Sequence, residues 1–142
     1  MPMPHTPLRL IMLGACALAL AACQREPDPL QLAREEIAAN LPAPYFEDLV
    51  TESASIEGKR LVLLVRSPEG DADRTRAQPQ FELLRQSEQD EMRQLCAHPA
   101  IARLVDGDTL LVRRFVDRFD KVFFETTLPA RDCASPDTRA PT

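Results

Sequence analysis

The sequence contains no tryptophan, one tyrosine and two histidines, and its formal net charge at pH 7 is −5. The shortage of aromatic residues leaves little surface on which sugars or nucleobases could stack. The acidic balance argues against a nucleic-acid ligand, because phosphate binding requires a basic face. The chain has four glycines, too few for a glycine-rich loop that cradles phosphate groups. We therefore expect neither a nucleic acid nor a small-molecule substrate as the ligand.

Catalytic chemistry is also poorly supported by the residues present. His98 is the one histidine outside the N-terminal segment, and its position before Pro99 favours a helix-breaking or capping role. A metal pair formed by Cys96 and His98 would need a reduced cysteine and further ligands that we do not find. No nucleophile elbow surrounds any serine. We predict that the chain is not an enzyme and uses no cofactor or metal.

The N-terminal segment carries the most specific pattern in the chain. Arg9 precedes an apolar run over residues 10–22, and Leu20-Ala21-Ala22-Cys23 closes the segment. This order is typical of a secretory signal. The last four residues resemble the lipobox of bacterial lipoproteins, which implies cleavage before Cys23 and acylation of that cysteine. The alternative is a plain secretory signal that leaves Cys23 for a disulfide. A transmembrane helix is less favoured, because the run is shorter than the roughly 20 residues that a bilayer needs.

The chain divides into four parts on this interpretation. We predict a lipoprotein signal peptide over residues 1–22, a lipidated cysteine with its tether over 23–28, a single domain over 29–133 and a disordered tail over 134–142. Removal of the signal leaves about 120 residues, which suits one domain.

Two cysteines then remain for the domain, Cys96 and Cys133. An even pair in an exported protein favours a disulfide. The alternative is two free thiols.

The predicted elements follow the order α-ββ-αα-ββ. Asp28 and Pro29 suit the start of a first helix, whose apolar stripe has helical spacing and consists of Leu30, Ala33, Ile37 and Leu41. The remaining predictions are strands over 49–56 and 60–66 around a turn at Gly58, a mobile surface loop over 67–79, helices over 80–97 and 100–105, and strands over 109–116 and 121–128. This order predicts an α+β fold in which an antiparallel sheet of four to five strands carries the helices on one face.

A possible partner surface lies on the second predicted helix. Phe81, Leu84 and Met92 share one side of it, although Glu88 and Glu91 interrupt the stripe. Core packing is the alternative explanation. If part of the stripe stays exposed, it offers an apolar groove for a partner helix. A local basic group could also serve binding or be a solvated strand end: Arg113, Arg114 and Arg118.

The layout of the chain resembles the pilot lipoproteins, or pilotins, of type II secretion, in the subgroup with an α/β rather than an all-helical fold. The resemblance covers about residues 20–133 and is one of order and spacing. After the lipobox, the matching features are a helix ending in Asn40-Leu41-Pro42, a strand pair split by a Gly turn over 56–65, Leu95-Cys96 before a short helix closing at Asp106-Gly107, and a strand pair ending at Cys133. The turn over 117–120 departs from this pattern because it lacks a glycine.

The resemblance implies that the domain binds the C-terminal segment of a secretin in the periplasm. The lipid on Cys23 would then carry this cargo to the outer membrane. Gln24 agrees with that destination, because Asp at this position would suggest retention at the inner membrane in enteric bacteria. Two alternative functions stay open: a lipid-anchored inhibitor of a hydrolase such as lysozyme, and an envelope lipoprotein with an unknown partner on the same scaffold.

Overall fold

The computed structural model describes Met1 and residues 25–134. The predicted signal peptide, Cys23 and nearly all of the predicted tail lie outside the described residues. In chain order, the helices and strands are α1 (Pro29–Ala38), β1 (Ala43–Pro44), β2 (Val50–Glu57), β3 (Arg60–Arg66), α2 (Ala72–Arg76), α3 (Phe81–Glu91), β4 (Leu110–Val116) and β5 (Val122–Pro129). The described part also contains the 3₁₀ helices Met92–Ala97, Pro99–Leu104 and Ala130–Ala134.

The five strands form one sheet in the order β1-β2-β3-β4-β5. The predicted α+β class is confirmed, but the sheet is mixed rather than antiparallel throughout, because β3 and β4 are parallel. The cause is the connection between them. Residues 67–109 contain α2, α3 and two 3₁₀ helices, and they return the chain to the end of the sheet where β3 begins. A long crossover of this kind is what parallel pairing requires.

The first helix follows the sequence prediction closely. Asp28 caps it, with its Oδ1 accepting a hydrogen bond from the backbone N–H of Leu30 at 3.0 Å, and Pro29 occupies the first turn. Ala33 and Ile37 are buried in the core, and Leu30 and Leu41 pack against its edge. The predicted apolar stripe is therefore the face by which α1 joins the domain.

The hydrophobic core lies between the helices and one face of the sheet. Leucine side chains from three strands point toward the helices, and each buried side chain of this size stabilises the fold by about 1.5–3 kcal/mol. The strand residues are Leu61, Leu63, Leu111 and Leu128, and their partners include Ile37, Met92, Ile101 and Leu104. The disulfide between Cys96 and Cys133 is present at the margin of this core, as predicted.

The other face of the sheet carries a closed ring of ion pairs. Arg114 donates to Glu57 at 2.7 and 2.9 Å and to Glu125 at 2.6 Å. Arg60 donates to the same two carboxylates at 3.2 and 2.5 Å. The carboxylate of Glu57, followed by that of Glu125, raises the pKa of Arg114. We call these four residues the charge ring.

The charge ring lies over two valines. Val62 and Val112 are register partners on β3 and β4. On this face of the sheet they lie two residues along the strands from the pair formed by Glu57 and Arg60. Arg114 lies two residues beyond Val112 on β4 and on the same face. Its contact with Glu57 therefore passes across the valine row, and Val62 and Val112 are only 1% and 0% exposed. Paired charges thus shield apolar side chains on this face.

The segment predicted as a mobile loop is partly ordered, because a distant carboxylate holds it. Asp117, which is 2% exposed, accepts a hydrogen bond from the backbone N–H of Ala72 at 2.9 Å. The same carboxylate accepts from the N–H groups of Phe119 and Lys121 at 2.8 and 2.9 Å. Asp120 adopts the left-handed conformation, with φ 66°, which Asp tolerates better than most residues. The turn therefore forms without the glycine that the family layout suggested.

Removal of the disulfide should destabilise the domain substantially. For a Cys96→Ser/Cys133→Ser variant we expect the free energy of unfolding to fall by about 4 kcal/mol, since the bridge joins positions 37 residues apart and restricts the unfolded chain. Urea unfolding followed by circular dichroism measures the change. Dithiothreitol should lower the stability of the wild-type protein and leave the double variant unaffected. Equal stability of the two proteins under oxidising conditions would contradict the expectation.

Asp117→Asn should lower the melting temperature in a pH-dependent way. Burial alone would raise the pKa of Asp117, but the three backbone N–H donors and then Lys121 outweigh it, and the pKa is lowered. A lowered folded-state pKa stabilises the fold above the unfolded value of about 3.9, and this contribution is lost as the pH falls through the folded value. Melting temperatures of the two proteins should therefore differ most above about pH 5 and converge in more acidic solution. A difference that does not vary with pH would contradict this assignment. Asp106→Asn, at an exposed position, serves as the control.

Candidate partner-binding surface

The position of α3 depends on a buried polar chain of three residues. The Tyr45 hydroxyl donates to Glu88 Oε2 at 2.5 Å, and Arg113 Nη1 donates to the same hydroxyl at 2.9 Å. The guanidinium of Arg113 also lies 4.9 Å from the centre of the Tyr45 ring, a distance suited to cation–π attraction. The residues come from the segment after β1, from α3 and from β4, so their contacts hold three parts of the domain together.

Burial explains why the Tyr45 hydroxyl stays protonated. Glu88 is 8% exposed and Arg113 is 6% exposed. Burial, and next the hydrogen bond to Glu88, raises the pKa of Tyr45. The hydroxyl therefore stays protonated and can donate to the carboxylate while it accepts from Arg113. Glu88, which interrupts the apolar stripe in the sequence, is thus a structural residue of α3.

A second contact attaches α3 to the outer edge of β5. The Gln89 side chain donates to the carbonyl of Thr127 at 2.7 Å and accepts from its N–H at 3.1 Å. Further along the strand, Arg76 of α2 donates to the carbonyls of Val122 and Phe123. Side chains from two helices therefore occupy backbone groups on the edge strand.

The structure separates the three residues predicted to bind a partner. Met92 is 0% exposed and belongs to the core, so a partner cannot contact it in this conformation. Phe81 is partly buried, with its ring 5.8 Å from that of Phe124 in an edge-to-face arrangement. Leu84 is 42% exposed. Of the predicted set, Leu84 is the residue most accessible to a partner.

Leu84 is exposed although its neighbours on the same side of α3 contact the domain. It is three residues after Phe81 and four before Glu88, which places all three on one side of the helix. Phe81 and Glu88 reach the body of the domain, yet Leu84 between them stays half exposed. Leu83 beside it is 70% exposed. We call Leu83 and Leu84 the α3 leucine pair. Leu83 was absent from the sequence prediction because it lies outside the apolar stripe.

The other sequence candidates serve the structure. Arg113 and Arg114 are neighbours on a strand and therefore point to opposite faces of the sheet, and Arg118 is exposed in the turn after β4. The predicted basic group is thus dispersed. His98 accepts a hydrogen bond from the N–H of Ala100 through Nδ1 at 3.1 Å, which is the predicted capping role.

Residues 25–134 offer neither a metal site nor a membrane-spanning helix. Within this range no three His, Cys, Asp or Glu side chains are grouped so that they could hold a metal ion. No helix in the same range has the length and apolar character needed to cross a bilayer.

This chain is similar to known proteins in its structure. No protein family and no curated protein matches the sequence. A candidate secreted protein from Pseudomonas aeruginosa has a similar structure, with a TM-score of 0.52 and 18% sequence identity over 73% of this chain and 88% of that chain. Such identity shows the fold alone.

Two pilotins of type II secretion systems are also among the matched structures. EpsS from Vibrio vulnificus has a TM-score of 0.48 and 18% identity, covering 77% of this chain and 94% of its own. AspS from Vibrio cholerae has a TM-score of 0.47 and 16% identity, covering 74% and 92%. The matched structures thus include the class of protein that the sequence layout resembles.

Tyr45→Phe should destabilise the domain, because it removes the proton donor to a buried carboxylate. We expect a loss of about 1–3 kcal/mol in the free energy of unfolding, measured by urea denaturation. The cost should be smaller in a Glu88→Gln background, where the carboxylate that accepts from the Tyr45 hydroxyl is already absent, and a double-mutant cycle isolates this coupling. Additive effects of the two substitutions would show that the Tyr45–Glu88 contact carries no energy of its own.

Proposed function

We propose that this chain is a non-catalytic lipoprotein that binds a secretin of a type II secretion system and localises it to the outer membrane. The observation that carries the proposal is the combination of the Leu20-Ala21-Ala22-Cys23 lipobox with an α+β domain that exposes apolar residues on α3. The layout shared with pilotins supports the same function. In this proposal Cys23 carries the lipid, and the domain faces the periplasm.

The α3 leucine pair is the proposed contact for the secretin. Exposed apolar residues on a well-anchored helix suit an amphipathic partner helix. The anchoring comes from Glu88, Gln89 and Phe81, which hold α3 in place without using the outer side of Leu83 or Leu84. A rigid apolar surface loses little conformational entropy on binding.

A Leu83→Glu/Leu84→Glu variant should lose secretin binding and keep its fold. Charges placed in an apolar interface must be desolvated without a partner, so we expect affinity to fall at least tenfold, or about 1.4 kcal/mol. The measurement is the amount of secretin recovered from detergent-solubilised envelopes with the tagged full-length protein.

The matched control is Gln86→Glu/Ser87→Glu, which adds the same charge at exposed positions of the same helix. It should recover as much secretin as the wild-type protein. Equal recovery with both variants would remove the α3 leucine pair from the interface. If the wild-type protein recovers no secretin, the pilotin proposal fails, and inhibition of lysozyme by the purified protein becomes the assay to perform.

Cys23→Ser should leave the protein without lipid and the secretin mislocalised. An acyl-chain label should enter the wild-type protein and be absent from the variant, and membrane fractionation should show the secretin displaced from the outer membrane. Ala22→Gly keeps the small residue that a lipobox requires and serves as the control. Acyl labelling of Cys23→Ser would contradict the assignment of the lipid to this cysteine.

A further inference from the structure

The first residues of the domain lie at one end of the sheet and not at the other. Asp28, Pro29 and Leu30 share a groove with Gly58 and with residues 106–109, so the chain enters the domain at the end where β3 and β4 begin. Both strands then run to Arg66 and Val116 at the opposite end, about 20 Å away for seven residues of strand. If Cys23 holds the lipid, this opposite end points away from the membrane. We call it the distal end.

The distal end carries a groove of about 440 Å³ lined by Pro42, Val50, Glu52, Arg66 and Pro68. Most of these side chains are apolar. Arg66 is engaged by Glu52 at 2.5 Å and by Asp120 at 2.6 Å, so its charge is balanced within the domain. The groove can therefore accept apolar side chains without leaving a free arginine beneath them.

Two exposed aromatic residues belong to turns that adjoin the residues lining this groove. Phe46 is 63% exposed and Phe119 is 66% exposed. Phe46 belongs to the turn closed by the hydrogen bond from the Leu49 N–H, next to Val50. Phe119 belongs to the turn whose Asp117 carbonyl accepts from Arg66. Both turns lie at the distal end, so the two rings add exposed apolar surface beside the apolar lining of the groove, and a continuous surface of this kind marks an interaction site.

The rim of the groove is acidic. Glu47 and Asp48 lie between Phe46 and Val50, and Glu69 follows Pro68. All three are exposed, and the ion pairs within residues 25–134 do not include them. Two exposed bases lie in the turn that contains Phe119. The guanidinium of Arg118 lies 4.7 Å from the centre of the Phe119 ring, and Lys121 is paired with Asp73. The field at the distal groove is therefore negative and favours a cationic ligand.

We infer that the distal groove binds a polypeptide segment with apolar residues flanked by lysine or arginine. The apolar residues occupy the groove between Phe46 and Phe119, and the cations meet Glu47, Asp48 and Glu69. The residues that line the groove do not include either residue of the α3 leucine pair. The orientation of the groove away from the membrane rests on the proposed lipid anchor, while its ligand chemistry rests on the groove and its rim alone.

The test uses two synthetic peptides that share one leucine- and valine-containing core. One has lysine flanks, and the other has glutamate flanks. Binding to the full mature protein in phosphatidylcholine nanodiscs is followed by fluorescence anisotropy, with empty nanodiscs as the blank. We expect the lysine-flanked peptide to bind at least tenfold more tightly, with affinity that falls as salt is added.

Charge reversal locates the site. Glu47→Lys/Asp48→Lys/Glu69→Lys should abolish the preference for the lysine-flanked peptide. The control, Glu26→Lys/Asp90→Lys/Asp106→Lys, makes the same change in net charge at exposed positions outside the rim and should retain the preference. A Phe46→Ser/Phe119→Ser variant should weaken binding of the lysine-flanked peptide.

Three results would overturn the inference: no binding of the lysine-flanked peptide, equal binding of both peptides, or an equal loss of preference in the two charge-reversal variants. Dimerisation that the rim variant abolishes would assign the groove to a second copy and would also overturn it. Secretin recovery from envelopes is measured separately. The distal groove can therefore fail while the proposed function holds, and the reverse is equally distinguishable.

Discussion

The burial of Arg113 inside the domain is the constraint on which much of the structure depends. An ionised side chain in the interior is costly unless its charge is offset and its donors are bonded. Tyr45 supplies a ring face and an oxygen, and Glu88 supplies the negative charge one hydrogen bond further away. Because Glu88 reaches Arg113 through the Tyr45 hydroxyl, the side of α3 that carries Glu88 must face the interior of the domain. The position of Glu88 then determines how far the rest of that helical face can approach the sheet.

Local sequence patterns predicted those parts of the fold that depend on neighbouring residues. The cap at Asp28, the stripe of α1 and the turn at Gly58, with φ 62°, each follow from residues a few positions apart. The disulfide could be predicted from cysteine number because two cysteines remained. Contacts between residues far apart in the sequence could not be predicted in this way. Asp117 orders α2 across 45 residues, and nothing near Ala72 in the sequence indicates it. Glu88 looked like an interruption of an apolar stripe because its partners lie on other elements.

The two faces of the sheet are protected by different physical means. One face is covered by helices and buries leucines, so its stability depends on the exclusion of water from apolar surface. The other shields Val62 and Val112 beneath the charge ring, in which each arginine spans two acidic residues. Exposed ion pairs taken singly contribute little, whereas a closed network with bidentate geometry contributes more. The arginine content of this acidic chain is partly explained by that face, since lysine could not make the same paired contacts.

The side chains that bond to the outer edge of β5 limit aggregation when many molecules lie close together. An uncovered strand edge is a template for pairing with another chain, and such pairing leads to aggregation. Gln89 takes both backbone groups of Thr127, and Arg76 takes the carbonyls of Val122 and Phe123. If the proposed lipid on Cys23 holds molecules side by side on a membrane, they meet often and in many orientations. With these positions on β5 already bonded, such encounters are less able to extend one sheet into the next, and crowding is less able to produce fibrous assemblies.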